Sequence, residues 1–311
     1  MPESTPVTVL AGGVGGAKLA EGFARVGDDL TVVVNTADDA QVYGLSISPD
    51  LDTVMYTLAG IANPDTGWGI AGDTVAVLDQ LRRLGQDTWF TLGDADLATH
   101  VFRSDRLRRG VPLSMVTADL AAALGVRARL VPMTDDPVAT LVDTPAGRFG
   151  FQEYFVARRH ADTVTALTFD GVADSRPAPG VLEAVRDADV VAIAPSNPFV
   201  SVGPILAVPG VRDALATSGA WRVAVSPVIA GAALKGPAAQ MLADLGHEVS
   251  ALAVARLYAG LIDAMCIDER DRDLAPAIAD LGLQVIVTNT VMGDGPDRER
   301  FARELLTGRD R

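Results

Sequence analysis

At 311 residues, 49% hydrophobic and 21% charged, the chain can bury one large core or two closely joined ones and has the composition of a globular enzyme. Its net charge of -14 excludes a general nucleic-acid or anionic-membrane binder, because phosphate backbones are gripped by a basic footprint. The one cysteine, Cys266, excludes an internal disulfide and a cysteine-rich zinc site, and with no signal-like or membrane-spanning apolar run visible the expectation is a cytoplasmic enzyme without a membrane partner.

The first predicted strand, VTVL at 7–10, runs into AGGVGGAKLAEGF. Gly12, Gly13 and Gly15 let the backbone turn tightly and approach a ligand, and residues 17–26 have helical composition. Strand, glycine-rich turn and helix together present amide donors at a helix N-terminus, an arrangement suited to phosphate, with Lys18 close behind. Neither standard motif fits. The dinucleotide fingerprint needs a glycine where Lys18 stands and an acid where Asn35 stands, and the Walker pattern needs Ser or Thr where Leu19 stands. Glycines required only for close strand–helix packing remain the alternative.

The second strand, TVVV at 31–34, stops at Asn35, and Asp38 and Asp39 follow at once. Asp50 and Asp52 flank Leu51 directly after Pro49, and Val54, Leu58 and Ile61 then recur at helical spacing. Four carboxylates thus lie in one strand-to-helix connection, at the carboxyl edge where open α/β sheets bind ligands. One or two carboxylates plus substrate phosphates suffice for Mg²⁺. The plainer reading has Asp52 capping the helix and the other acids solvated in turns.

Next, NPDTGWGIAGDT holds Trp68 between two glycines, where an indole serves either as an anchor or as a stacking surface. A helix is predicted over 74–84 and a short strand over 89–92, which contains Thr91. Asp94, Asp96 and His100 follow in LGDADLATH, as ligand contacts or as a helix cap and a polar core residue. Residues 106–124 read as helical and basic on one side. Over about 129–175 short β-prone runs alternate with turn residues, which predicts an inserted β-rich subdomain covering the site. The sheet resumes with DVVAIA at 189–194, which ends in PSNPFVSVGPIL with Ser196 and Asn197 at the strand's carboxyl end. RVAV at 222–225 ends in a second glycine-bearing loop with Lys235. Further strands are expected near 261–266 and 284–287, and helices at 237–245, 249–258, 272–281 and 298–306. Strands alternating with helices give an α/β class: a Rossmann-like, mostly parallel sheet with helices on both faces, one domain over 1–311.

The segments AGGVGGAKL, VNTADD, SPDLDTV, WGIAGDT, LGDADLATH, APSNPFVSVGPIL and VSPVIAGAALKGPA stand in an order that resembles the 2-phospho-L-lactate transferases of the CofD/FbiA type, over nearly the whole chain. The resemblance implies synthesis of the deazaflavin coenzyme F-420. A phosphorylated three-carbon acid, 2-phospholactate or phosphoenolpyruvate, moves from a guanosine diphosphate-linked donor to the ribityl hydroxyl of the deazaflavin Fo, with release of GMP and assistance from Mg²⁺. It also implies a homodimer, a metal at Asp38 and Asp52, the donor nucleotide at PSNP, and Fo beside LGDAD, where relatives often carry arginine in place of Ala95. The expected catalytic carboxylates are Asp38, Asp52, Asp39 and Asp50, the last two as candidates for orienting the hydroxyl. The expected substrate-binding residues are Gly12, Gly13, Gly15, Lys18, Asn35, Trp68, Thr91, Asp94, Asp96, His100, Ser196, Asn197 and Lys235. No Ser-His-Asp or Cys-His set is evident, which argues against a covalent enzyme intermediate. The alternative is a non-catalytic nucleotide-sugar-binding regulator like the related gluconeogenesis factors. Those proteins typically follow the Asp-Asp pair with glycine and serine, whereas AQVY and then SPDLDT stand here.

Overall fold

Seven short apolar runs, rich in β-branched residues, pair into one sheet in the computed structural model, which describes residues 5–233 and 236–309. In chain order the strands are β1 (Val7–Ala11), β2 (Leu30–Val34), β3 (Arg129–Pro132), β4 (Val190–Ile193), β5 (Trp221–Val225), β6 (Ala264–Asp268) and β7 (Gln284–Thr288). Their spatial order is β7-β6-β5-β4-β1-β2-β3, and every neighbouring pair is parallel. Successive side chains leave opposite faces of a strand, so each strand feeds two cores. Val7, Val9 and Ala11 pack in one with helices α1 (Gly13–Val26) and α2 (Pro49–Leu58), while Leu10, Val33 and Ile193 pack in the other with helices Val211–Thr217 and Ala251–Tyr258. The Rossmann-like α/β class is therefore the observed one. Strand order reverses between β1 and β4, and a crevice opens there at the carboxyl ends of the two strands.

Three predicted elements differ from those observed. The β-prone stretch over 129–175 divides. Arg129–Pro132 is an edge strand of the main sheet because its backbone pairs with β2, and the separate antiparallel sheet is built from Ala139–Thr144, Gly147–Gly150 and Ala166–Asp170. Residues 89–92 form no strand. Phe90 and Leu92 instead pack against Val42 and Ile47 of a small hairpin, and Tyr43 donates its hydroxyl to the Phe90 carbonyl (2.9 Å). The helical stretch to 124 is two helices, Asp94–Arg108 and Leu113–Ala123, divided by Gly110 at φ +79 and by Pro112.

Candidate active site

The two loops at the switch point are joined to each other. After β1 the chain turns at Gly12 and at Gly13, whose φ is +63, and α1 begins. A Cβ on Gly12 would meet Asp50 Oδ2 at 2.6 Å, and one on Gly15 would meet the Pro195 carbonyl at 2.6 Å, so both positions require glycine for close approach. The Gly12 amide donates to Ser196 Oγ (3.2 Å), and that hydroxyl donates to the Gly12 carbonyl (2.7 Å). Ser196 is thereby a bridge between the loops. Asn197 caps the helical turn Pro198–Val202, its Oδ1 accepting from the amides of Phe199 (2.9 Å) and Val200 (3.4 Å).

Beside this junction lies the acidic connection. Asn35 is fully buried, with its Nδ2 within hydrogen-bonding distance of Asp38 Oδ2 (3.0 Å), Asp50 Oδ2 (3.0 Å) and the Val200 carbonyl (3.2 Å). Asp50 Oδ1 also accepts from the Gly13 amide (2.8 Å), and Ser48 Oγ donates to Asp39 Oδ2 (2.6 Å). Burial, and then the Asp50 charge, push the Asp38 carboxyl well above its ordinary range. Burial does the same to Asp39 and lifts Asp50 to about 6. The remaining oxygens, Asp38 Oδ1 and Asp39 Oδ1, are buried with no hydrogen bond of ordinary geometry, although the Thr140 hydroxyl lies near enough to favour the charged form of Asp38. Together these features describe a place short of positive charge. Asp38 and Asp50 face the crevice, so two hard oxygen donors, one with an unsatisfied oxygen, fit a Mg²⁺ ion that keeps waters and takes substrate phosphates for its other ligands. No group of three or more His, Cys, Asp or Glu side chains among the described residues is disposed to hold a metal by itself.

The carboxylate of Asp52, expected at the metal, points elsewhere. Its two oxygens accept from the Arg103 guanidinium, through Nη2 to Oδ1 and Nη1 to Oδ2 (3.0 Å for the latter), in a buried bidentate pair. Asp52 lines the smaller chamber beside Asp38 and Asp50, but its carboxylate is paired with Arg103, whereas Asp38 and Asp50 are bridged by Asn35. His100 Nδ1 lies 3.2 Å from Arg103 Nη1, and its Nε2 lies 3.1 Å from Asp96 Oδ1, which also accepts from the Tyr56 hydroxyl (2.7 Å). Burial alone would raise Asp96, but His100 and then Tyr56 hold it below the ordinary carboxylate range. Asp94, expected as a substrate contact, instead caps the helix Ala76–Arg83, accepting from the Ala76 and Val77 amides (both 2.9 Å) and from Thr74 Oγ1. Arg103 escaped the sequence reading. Its only signal is a position three residues after His100 on one helix, and nothing local reveals a partner 51 residues away.

The crevice has two chambers. The larger, about 650 Å³, is lined by Lys18, Ser196, Asn197, Ser226 and the segment Thr290, Val291 and Met292. Lys18 Nζ donates to the Met292 carbonyl (2.7 Å). The smaller, about 410 Å³, is lined by Ile47, Tyr56, Phe90, Thr91, Leu92, Asp96 and His100. Gly13, Val14, Asp38, Asp50, Trp68, Phe151 and Phe155 line both chambers. Trp68 is 48% exposed, so its indole forms part of a wall and does not anchor the loop to the core. Phe151 and Phe155 have no signal in the sequence; Phe151 belongs to a buried cluster with Tyr154, and Phe155 packs against it. Lys235 lies outside the described residues.

The CofD family model, described as 2-phospho-L-lactate transferase, matches residues 7–290. A phosphoenolpyruvate transferase of Streptomyces coelicolor is 42% identical over 309 residues, with 97% of each chain covered. A 2-phospho-L-lactate transferase of Methanococcoides burtonii is 37% identical over 286 residues, covering 91% of this chain and 93% of that one. Among solved structures, a UPF0052 family member from Bacillus halodurans shares the fold with a TM-score of 0.63 at 16% identity, over 98% of this chain and all of that one. A glycine loop tied to PSNP, buried acids beside it, and a family match spanning the strands that carry both lead to one conclusion: the chain belongs to the CofD family of 2-phospho-L-lactate transferases.

Proposed function

We propose that the enzyme transfers a phosphorylated three-carbon acid from a guanosine diphosphate-linked donor to the ribityl hydroxyl of the deazaflavin Fo, releasing GMP. The observation that carries this reading is the Asp38–Asn35–Asp50 bridge, buried at Asp38 and Asn35 and half-buried at Asp50, on the wall shared by two chambers, where donor and acceptor can meet. The larger chamber is bordered by the glycine loop and by the Ser196–Asn197 and Ser226 loops, which suit a nucleotide diphosphate, and the smaller is bordered by Ile47, Tyr56, Phe90 and Leu92, against which a tricyclic ring can lie. Phosphoryl transfer asks a protein mainly for positioning and charge neutralisation. A Mg²⁺ ion held by Asp38 and Asp50 would supply the neutralisation as GMP leaves. Asn35 fixes the spacing of these two carboxylates, the glycine loop brings backbone amides close to the donor, and Lys18 stands at the edge of the same chamber. The Arg103–Asp52–His100–Asp96 network holds helices α2 and Asp94–Arg108 in register under the acceptor chamber.

The relatives named phosphoenolpyruvate transferase are 42–43% identical, and those named 2-phospho-L-lactate transferase 37–39%, which supports the enolpyruvyl donor. On the same reading the enzyme is Mg²⁺-dependent and cytoplasmic, in keeping with one buried, unpaired thiol at Cys266. It acts as a homodimer, for which Val77, Val101, Phe102 and Met115 supply exposed apolar surface. The test is to incubate the protein with Fo, Mg²⁺ and each guanosine diphosphate-linked acid in turn, then weigh the product by mass spectrometry. A product heavier than Fo by the phosphorylated acid, formed in step with GMP and abolished by chelator, is expected. Donor binding without any turnover would overturn the reading in favour of a regulator.

A further inference from the structure

Past the hairpin of the inserted sheet the chain winds into a wide helical turn, Glu153–Ala157, of the i→i+5 type that recurs at functional sites. The segment is pinned at three points. Gln152 Nε2 donates to the Asp38 carbonyl (3.0 Å), which ties it to the acidic connection. Tyr154 is buried among Val142, Val164, Val200 and Met241. His160, in the left-handed region at φ +42, accepts at its carbonyl from Gln240 Nε2 (3.0 Å). Phe155, half-buried, and Phe151, a buried member of the same core cluster as Tyr154, line the wall where the two chambers meet, with rings stacked 5.5 Å apart and 7° from parallel. The His160 ring stacks on the far side of the column, 5.4 Å from Phe155.

This wall faces a chemical choice. In transfer, the ribityl oxygen bonds to the phosphorus bearing the acid and the bond from that phosphorus to the bridging oxygen breaks. GMP leaves with the electron pair, and the hydroxyl proton goes to solvent. Water attacking the same phosphorus breaks the same bond and yields the free phosphorylated acid, GMP and a proton. Carboxylates and cation assist both reactions alike, so discrimination has to come from which oxygen can reach the phosphorus. We propose that Phe151 and Phe155 exclude water from the transfer point and so set the preference for an alcohol over water as acceptor, an inference that rests on the transferase reading above. Their rings offer a water no hydrogen-bond partners, and closing water out of a site suppresses hydrolytic side reactions.

The experiment measures GMP release and acceptor product side by side for the wild type, Phe155→Ala, Phe155→Leu, Phe151→Ala and Phe151→Leu, with and without Fo. Phe155→Ala and Phe151→Ala are expected to raise the ratio of hydrolysis to transfer by about tenfold. The two leucine variants keep apolar bulk and are expected to stay close to the wild-type ratio. The ratio is read on the folded fraction alone, because unfolded enzyme contributes to neither reaction, so a variant that folds poorly still gives an answer. An unchanged ratio in both alanine variants, even with both rates reduced, would overturn the proposal while leaving the transferase reading intact. A wild type that forms no acceptor product would overturn that reading instead.

Discussion

Asn35 is a neutral amide set between two carboxylates, and it limits their repulsion without cancelling their charge. This has a consequence for stability. Asp38, Asp39 and Asp50 all have raised folded-state pKa values, burial being the first cause, whereas in an unfolded chain they ionise near pH ~3.9. Between about pH 4 and the folded values, the native protein binds more protons than the unfolded one, so stability is present at the acidic end and is lost as pH rises. Asp268, held down at about 2 by Arg270 and Thr290 against the opposing effect of burial, acts oppositely but only as pH falls below about 4, outside that window. The metal-free protein is therefore expected to melt at a higher temperature near pH ~5 than near pH ~7.5, and Asp50→Asn should flatten this slope. Mg²⁺ should raise the melting temperature of the wild type at the higher pH and do less for Asp50→Asn. Thermal melts across pH, with and without the metal, check both statements. A slope unchanged by Asp50→Asn would remove Asp50 as its source.

At the scale of elements, the site is made where strands end and helical turns begin. Asp50 and Asp52 occupy the first turn of α2, where the helix dipole favours negative charge and offsets part of the cost of burying them. Asn197 has the same positional logic at Pro198–Val202. Its Oδ1 is spent on the cap and its Nδ2 lies against Met241 Sδ (3.3 Å), so on the proposed function it would act on the donor through the shape of the loop. Asn197→Ala should cost about 1 kcal/mol of stability and raise the donor KM, whereas Asn197→Ser, itself a good cap, should recover much of both. Fo affinity should change little in either variant, because the acceptor chamber is lined by other segments. Donor and Fo titrations beside a melt decide the matter. A serine variant as impaired as alanine would point to a direct contact from the amide to the nucleotide.

Over the whole molecule, the glycine loop depends on the far end of the chain. Its helix, α1, packs against Gly295–Gly308, and Lys18 and Glu21 reach Met292 and Arg298 respectively. Gly22 lies at the crossing, and a Cβ there would collide with the Arg298 carbonyl. Gly22→Ala is expected to push the two helices apart at a cost of about 1–3 kcal/mol, and with it to raise the donor KM by shifting the loop. Gly27→Ala is the control, since a Cβ at Gly27 meets nothing within 4 Å. Denaturant titrations of the two variants should differ clearly, and equal stability would show that the crossing tolerates the methyl group.

Much of this was legible in the order of residues. Apolar runs too short for helices, each closed by a glycine, asparagine or proline loop, are local signals of buried parallel strands, and VTVL, TVVV and VVAI all occupy the sheet. The same punctuation marked Gly12, Asn35, Asp38, Asp50 and Ser196, because a loop at a strand's carboxyl end lies at the carboxyl edge whatever the register. Pairing between distant segments could not be read this way. Asp52 looked equivalent to Asp38, and only the packing of Asp94–Arg108 against α2 gives it Arg103 and leaves Asp50 to stand with Asp38. WFTL has strand composition, yet it forms no strand and buries Phe90 and Leu92 against the hairpin, so tertiary packing prevails over propensity. Phe151 and Phe155 carry no local signal that they line a chamber. Their place on the chamber wall follows from a wide helical turn held by Asp38, by a tyrosine core and by Gln240, three contacts that bring together segments far apart in the chain.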